Sequence, residues 1–138
     1  MSDTDALLLL QRAIVDRLKS SPAIVELVGD RVFDDVPPAA LKPYISLGPR
    51  RVLVEAAAEY EGSDSRLQID GWSEAVGMVE AQKIGCAVRD ALHNAPLDLG
   101  DGQRLISIDF QRANYLRTQD GQTKHAVLLF RARTEPSN

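Results

Sequence analysis

Gln68–Asn94 reads QIDGWSEAVGMVEAQKIGCAVRDALHN, and this stretch decides the fold. Gln68-Ile69-Asp70-Gly71-Trp72 alternates polar and apolar residues apart from Gly71, the pattern of a half-buried strand. Ser73 follows as an expected helix N-cap, its hydroxyl suited to the first free amides. Glu74 adds negative charge at the positive end of the helix dipole. Met78, Ala81, Gly85, Val88 and Leu92 then recur at three- and four-residue intervals, the apolar face of one long helix. Pro96 closes it, lacking an amide donor and disfavouring helical geometry in the residue before it. The segment builds a packing surface, with Trp72, Met78, Val88 and Leu92 expected as core anchors.

Upstream, Thr4 to Ser20 is predicted helical, with Leu7, Leu10, Ile14 and Leu18 buried and Arg12, Asp16, Arg17 and Lys19 facing water. Ser21-Pro22 reads as a cap and a first-turn proline opening a short helix through Val28, with Gly29 as a left-handed stop. A strand fragment is expected at Arg31–Val36. Another strand starts at Pro43–Gly48, where proline removes no ladder donor, and can continue through Arg50–Val54 past a kink at Gly48-Pro49. Glu55 to Ser65 is expected to be a mobile connection between strands.

Downstream, Gly100-Asp101-Gly102 suggests a hairpin between Leu97–Leu99 and the strand from Arg104. Ile106, Ile108 and Phe110 alternate, and the apolar phase then moves to Ala113 and Tyr115, as a β-bulge would make it do. Asp120-Gly121 signals a second hairpin returning through Thr123–Arg133, with Phe110 and Phe130 expected as further core anchors. A tight turn would set Tyr115 opposite Ala126 and Gln111 opposite Phe130. Residues 135–138 are expected to fray. The order predicts an α+β fold: a mostly antiparallel sheet packed by two main helices, one domain over 1–138 with a long loop.

The chain has 138 residues and a net charge of −4. That size buries a core without disulfides or metal, and the charge lacks the basic excess of a nucleic-acid module. Cys86 has no cysteine to pair with, and its helical position predicts a buried thiol in a reducing compartment. Asp3 and Asp5 stand where a signal peptide needs positive charge, and no run approaches the roughly 20 apolar residues of a membrane span. The expectation is a soluble protein made in the cytoplasm.

Reactive groupings are sparse. His93 suits a helix C-terminus, where a cation is favoured, and His125 sits in a strand with no cysteine or carboxylate at ligand spacing. Asp30, Asp34 and Asp35 lack the alternation, glycine and closing glutamate of a calcium loop. Gly100-Asp101-Gly102 precedes no helix that could cradle phosphate. Ser63, Ser65 and Ser73 lack a GxSxG frame. Arg50-Arg51 can contact a partner or end a strand. Arg112, Arg117, Arg131 and Arg133 can serve an interface or block edge-to-edge aggregation.

Several segments together resemble the tail-terminator (tail-completion) proteins of long-tailed phages and phage-derived gene transfer agents. They are the Ala6–Leu18 helix, Gly29-Asp30-Arg31-Val32-Phe33, Pro43-Tyr44-Ile45-Ser46-Leu47-Gly48 and Ile69-Asp70-Gly71-Trp72-Ser73. Ala87–His93 and His125–Ala132 complete the set. The resemblance covers about Leu7 to Thr134 and lies in the order of these segments. It implies a structural virion protein with no catalysis, cofactor or metal. Such a protein forms a six-fold ring of identical subunits on the head-proximal end of the tail tube. The ring ends tube growth and joins the tail to a head-connector stopper or adaptor.

A ring needs heterologous flanks. On this reading Arg50–Gly62, with Arg50, Arg51 and Tyr60, and the Tyr115–Lys124 hairpin, with Tyr115, Arg117 and Lys124, supply subunit or tube contacts, together with Arg112. A net-negative ring fits DNA passing through without specific binding. A stopper or adaptor is the second reading. A small α+β enzyme or ligand-binding domain is the third, and the lack of an acid–base pair or metal cluster counts against it.

Overall fold

The computed structural model describes residues 5–53, 62–100 and 102–137. Three helices and five strands follow in the order α1 (Ala6–Ser20), α2 (Pro22–Val28), β1 (Val32–Phe33), β2 (Tyr44–Leu53), β3 (Ser63–Ser73), α3 (Val79–Leu92), β4 (Gln103–Arg117) and β5 (Lys124–Pro136). One sheet runs β1-β2-β3-β5-β4, antiparallel throughout except for the short β1–β2 pairing. This is the expected α+β architecture.

The helical start is as the residue types require. Asp5 caps α1 by accepting from the amides of Leu7 and Leu8, and Leu10, Ile14 and Leu18 are buried. Arg17 is exposed, as expected, and also makes a bond within the fold. Its Nε donates to the Ala91 carbonyl at 2.9 Å, satisfying one of the last free acceptors of α3 and tying the two helices together. Pro22 opens α2, and Gly29 ends it at φ 63°. Among the described residues no helix is long and apolar enough to cross a membrane.

The strand-to-helix unit departs from expectation at its junction. β3 begins at Ser63, so part of the anticipated loop is strand, and it runs through Ser73. Ser73 is therefore not the helix cap: its hydroxyl accepts from the Ala75 amide and donates to Glu80 at 2.7 Å. Residues 74–78 bend through Gly77 at φ 78° before α3 starts at Val79, with Met78 half-buried at its N-cap instead of in the core. The chain needs these residues to leave the plane of the sheet and lay a helix over it.

α3 lies on β3, β5 and β4, and its buried face is Ala81, Ile84, Gly85, Ala87, Val88, Ala91 and Leu92. The approach is close at two glycines. A Cβ at Gly71 would come within 2.7 Å of Ile84 Cγ2, and one at Gly85 would overlap the Tyr115 hydroxyl. Gly71 thus explains the break in alternation on β3. Trp72, expected to anchor β3 to the helix, lies on the opposite face because its neighbour Gly71 holds the helix-side position. Cys86 likewise is exposed, not buried, since it follows Gly85 and turns off the buried stripe.

The second hairpin shows how one extra residue shapes a sheet. Tyr115 sits opposite Ala126 as expected, but Phe110, not Gln111, faces Phe130, because Gln111 is bulged out of the ladder. Two further register shifts fall between Leu105 and Ser107 on the same strand and between Leu47 and Arg50 at Gly48-Pro49. Asp120 holds the Thr118–Thr123 loop by accepting from the Thr118 hydroxyl and the Gln122 amide, with Gly121 at φ 73°. Those bonds keep its carboxyl below the usual range. The other expected hairpin does not form: Leu97–Leu99 pair with no strand, and Leu99 is buried in the core, although Gly100 and Gly102 do adopt positive φ. Glu135 and Pro136, expected to fray, pair with Arg104 and Gln103. Substituting Gly71→Ala should lower stability by about 1–3 kcal/mol, the cost of forcing a methyl into a filled core, measured as a reduced urea midpoint.

Candidate functional site: the uncovered face of the sheet

All three helices cover one face of the sheet, so alternate residues of every strand stand on the other. Cross-strand pairing arranges them in rows. Tyr44, Trp72, His125 and Leu116 form one row across four strands, and Ser46, Asp70, Val127 and Asn114 the next. Gln68, Leu129 and Arg112 follow. Then come Arg51, Arg66, Arg131 and Asp109, and finally Leu53, Asp64, Arg133 and Ser107. One end is aromatic and the other is rich in guanidinium.

The aromatic end is tightly tied. Trp72 and His125 stack with ring centroids 3.8 Å apart at 11°, while Tyr44 and Phe33 continue the row edge-on and tilted. Trp72 Nε1 donates to Ser46 Oγ at 3.0 Å. Asp70, almost wholly buried, lies 2.7 Å from His125 Nε2 and accepts from Gln68 at 2.8 Å. His125 therefore has a carboxylate partner after all, brought from a strand 55 residues earlier. Gly48 makes room for it: a Cβ there would stand 2.5 Å from Asp70 Oδ2. These bonds join β2, β3 and β5. His93 plays a parallel part on the helix side, its Nδ1 accepting from the Phe110 amide at 3.0 Å and pinning β4 to the end of α3.

At the charged end Asp64 is only 3% exposed and lies between Arg66, at 3.1 Å, and Arg131, at 2.8 Å. Burial alone would raise its carboxyl, but the hydrogen bonds and charges of the two guanidiniums outweigh that and hold it below the usual carboxylate range. The bulges at Gly48-Pro49 and Gln111 fall at the level of the Gln68–Leu129 pair, one on each outer flank of β3 and β5. Bulges bend a strand and increase its twist, and here they bracket a trough of about 480 Å³. Arg50, Arg51, Arg66, Arg112, Gln68 and Leu129 are among the residues lining it. Arg50 also reaches Asp34 at 3.0 Å.

Of the residues singled out as interface candidates, Arg50, Arg51 and Arg112 thus line one trough. Tyr115, Arg117 and Lys124 belong to the helix-side face. Tyr115 packs over Gly85, and burial first, then nearby Cys86, raises its phenol pKa against the lowering effect of Arg89. Lys124 is buried and donates to the Gln122 carbonyl, while Arg117 is exposed. Tyr60 lies outside the described residues. Val88, Leu92 and Phe130 are fully buried, and Phe110 is partly so, edge-on to Phe130 at 5.7 Å. Arg66 and Asp64 were not singled out in the sequence, where only their period-two spacing marks them. Among the described residues no three His, Cys, Asp or Glu side chains come together as a metal would need.

Folding holds the Asp64 pKa below its unfolded value of about 4, so its pairing is complete above that pH and is lost as pH falls through the lower folded value. Asp64→Asn should cost about 1–3 kcal/mol at neutral pH, a modest figure because both guanidiniums are about one-third exposed and water screens them. Urea titrations below about pH 4 should show a shallower acid decline in this variant than in the native chain.

The sequence matches the family described as tail completion protein gp17 over residues 12–135. No curated protein matches it. A chain in the virion of a native gene transfer agent (GTA) particle is similar at 34% identity, covering 95% of this chain and 98% of that one, with a TM-score of 0.86. The gp17 protein of bacteriophage SPP1 shares the fold at 24% identity and a TM-score of 0.60, covering 94% of this chain and 88% of that one.

Proposed function

This chain belongs to the tail completion protein gp17 family, a family of structural virion proteins and not of enzymes, and we propose that it acts as a closed ring, six subunits around, at the head-proximal end of a tail tube. The ring stops further tube subunits from adding and presents the surface that the head connector binds. The observation that carries this reading is the end-to-end likeness to a chain within a gene transfer agent virion.

The fold suits such work. A ring joins one flank of each subunit to a different flank of the next, and this sheet ends in unlike edges. β4 closes one side with fifteen residues, while β1 covers only two residues of β2 on the other. Segment 50–62 and the Tyr115–Lys124 hairpin supply subunit or tube contacts. The partners are other copies of the chain, the tube protein and the connector's stopper or adaptor. DNA passes the lumen without specific binding, since a net charge of −4 per subunit does not retain phosphate.

Deleting the gene should release tube growth and give overlong, headless tails by electron microscopy. Normal-length tails that fail to attach would instead assign the chain to the stopper or adaptor position. Replacing residues 54–62, or the 118–123 turn, by a short glycine linker should abolish ring assembly while the circular dichroism of the monomer stays native. Rings that still form and cap tubes would remove those segments from the interface.

A further inference from the structure

We propose that neighbouring subunits join by strand addition: Arg112–Tyr115 on the outer edge of β4 pair antiparallel with Arg50–Leu53 on the outer edge of β2 in a second copy of this chain. The inference rests on the ring reading and names one of its contacts. β4 is the last strand of the sheet. The end of α3 occupies the first part of its outer edge, where the Asn94 amide donates to the Ile108 carbonyl at 2.9 Å and the Phe110 amide donates to His93 Nδ1 at 3.0 Å. Those two bonds fix which backbone groups face out. An antiparallel ladder alternates pairs that exchange bonds with pairs that do not. Phe110 gives its amide to His93, so its pair with Phe130 is of the second kind, and the next pair, Arg112 with Leu129, is of the first. Ala113, Tyr115 and Arg117 therefore turn their amides and carbonyls outward, beyond the end of α3. The same count holds at the turn, where the Thr118 amide faces inward and donates to the Thr123 carbonyl at 2.9 Å.

Carried across β5 and β3, the alternation turns Ile45, Arg50 and Val52 outward on β2. The Ile45 amide does donate outward, to the Arg31 carbonyl at 2.9 Å. β1 pairs with β2 only at Ile45 and Ser46, short of Arg50. Strand direction fits as well. β2, β3, β5 and β4 alternate in direction, so a second copy placed head to tail brings its β2 against β4 antiparallel. The faces agree too: Val52, opposite Ser65, and Tyr115, opposite Ala126, both stand on the helix side. Pairing these edges keeps the helices of both copies on one side of a continuous sheet. Charge selects the register. Arg117 opposite Arg50 would set like charges against each other, whereas Ala113 opposite Val52 and Tyr115 opposite Arg50 avoids this. One edge meeting a different edge is the heterologous contact that ring closure requires, and main-chain bonds give such a junction its affinity.

The test removes one outward amide on each edge of the full chain. Proline is tolerated on an edge strand where its missing N–H faces out. Ala113→Pro and Val52→Pro should each keep the circular dichroism of the native free chain and lose rings on tube ends by about tenfold or more. A disulfide reads the register without altering the main chain. With Cys86→Ser in place, R51C/N114C chains should link into covalent ladders within assembled rings, since these positions form a close non-bonded pair. R51C/L116C, which suits a register shifted by two residues, should not link. Unimpaired rings from folded A113P and V52P chains would overturn the proposal. So would ladders from R51C/L116C instead of R51C/N114C, or rings in which neither links. If the proline variants unfold, the disulfide pair alone decides. If the native chain itself makes no ring, the ring reading falls and takes this contact with it. Native rings that fail these readouts sink the contact alone.

Discussion

The structure depends on how closely α3 can lie on the sheet. Gly71 and Gly85 leave no side chain at the two points where helix and strands meet, and Ile84 and Tyr115 occupy the space instead. That approach buries Ile84, Val88 and Leu92 in one cluster with Ile69, Leu128 and Phe130. With one face committed to the helices, strand parity decides everything on the other. Each residue next to one on the helix side must stand on the uncovered face, whatever its chemistry.

The uncovered face divides the labour of holding and offering. Its aromatic rows are internally satisfied: Trp72, His125, Asp70, Ser46 and Gln68 bond mainly to one another. Its arginine rows centre on buried Asp64, which pairs with both Arg66 and Arg131. No reaction centre is required of a structural virion protein.

Much of the fold was legible in the residues. Leu10, Ile14 and Leu18 announced α1, Pro22 and Gly29 bracketed α2, and the phase change between Phe110 and Ala113 announced a bulge. What stayed hidden depends on contacts between distant segments. Ser73 has the chemistry of a cap but is held in the ladder opposite Lys124. Trp72 has the chemistry of a core residue, yet the face it occupies is set by Gly71 meeting Ile84, a contact spanning two elements. His125 and Asp70, or Arg51, Arg66 and Arg112, converge only once strand order is known, and local pattern carries no strand order.

The bulges at Gln111 and Gly48-Pro49 have an effect beyond their own positions. Gln111 is a supernumerary residue: Phe110 before it keeps its helix-side place and Arg112 after it keeps its open-side place. Gly48-Pro49 likewise puts two residues where one would span the step from Leu47 to Arg50. Losing one residue at either point would leave the inward and outward alternation intact while flattening the strand. Descendants of this chain can therefore retune the bend of the molecule by indels alone, without touching the buried layer that keeps it folded.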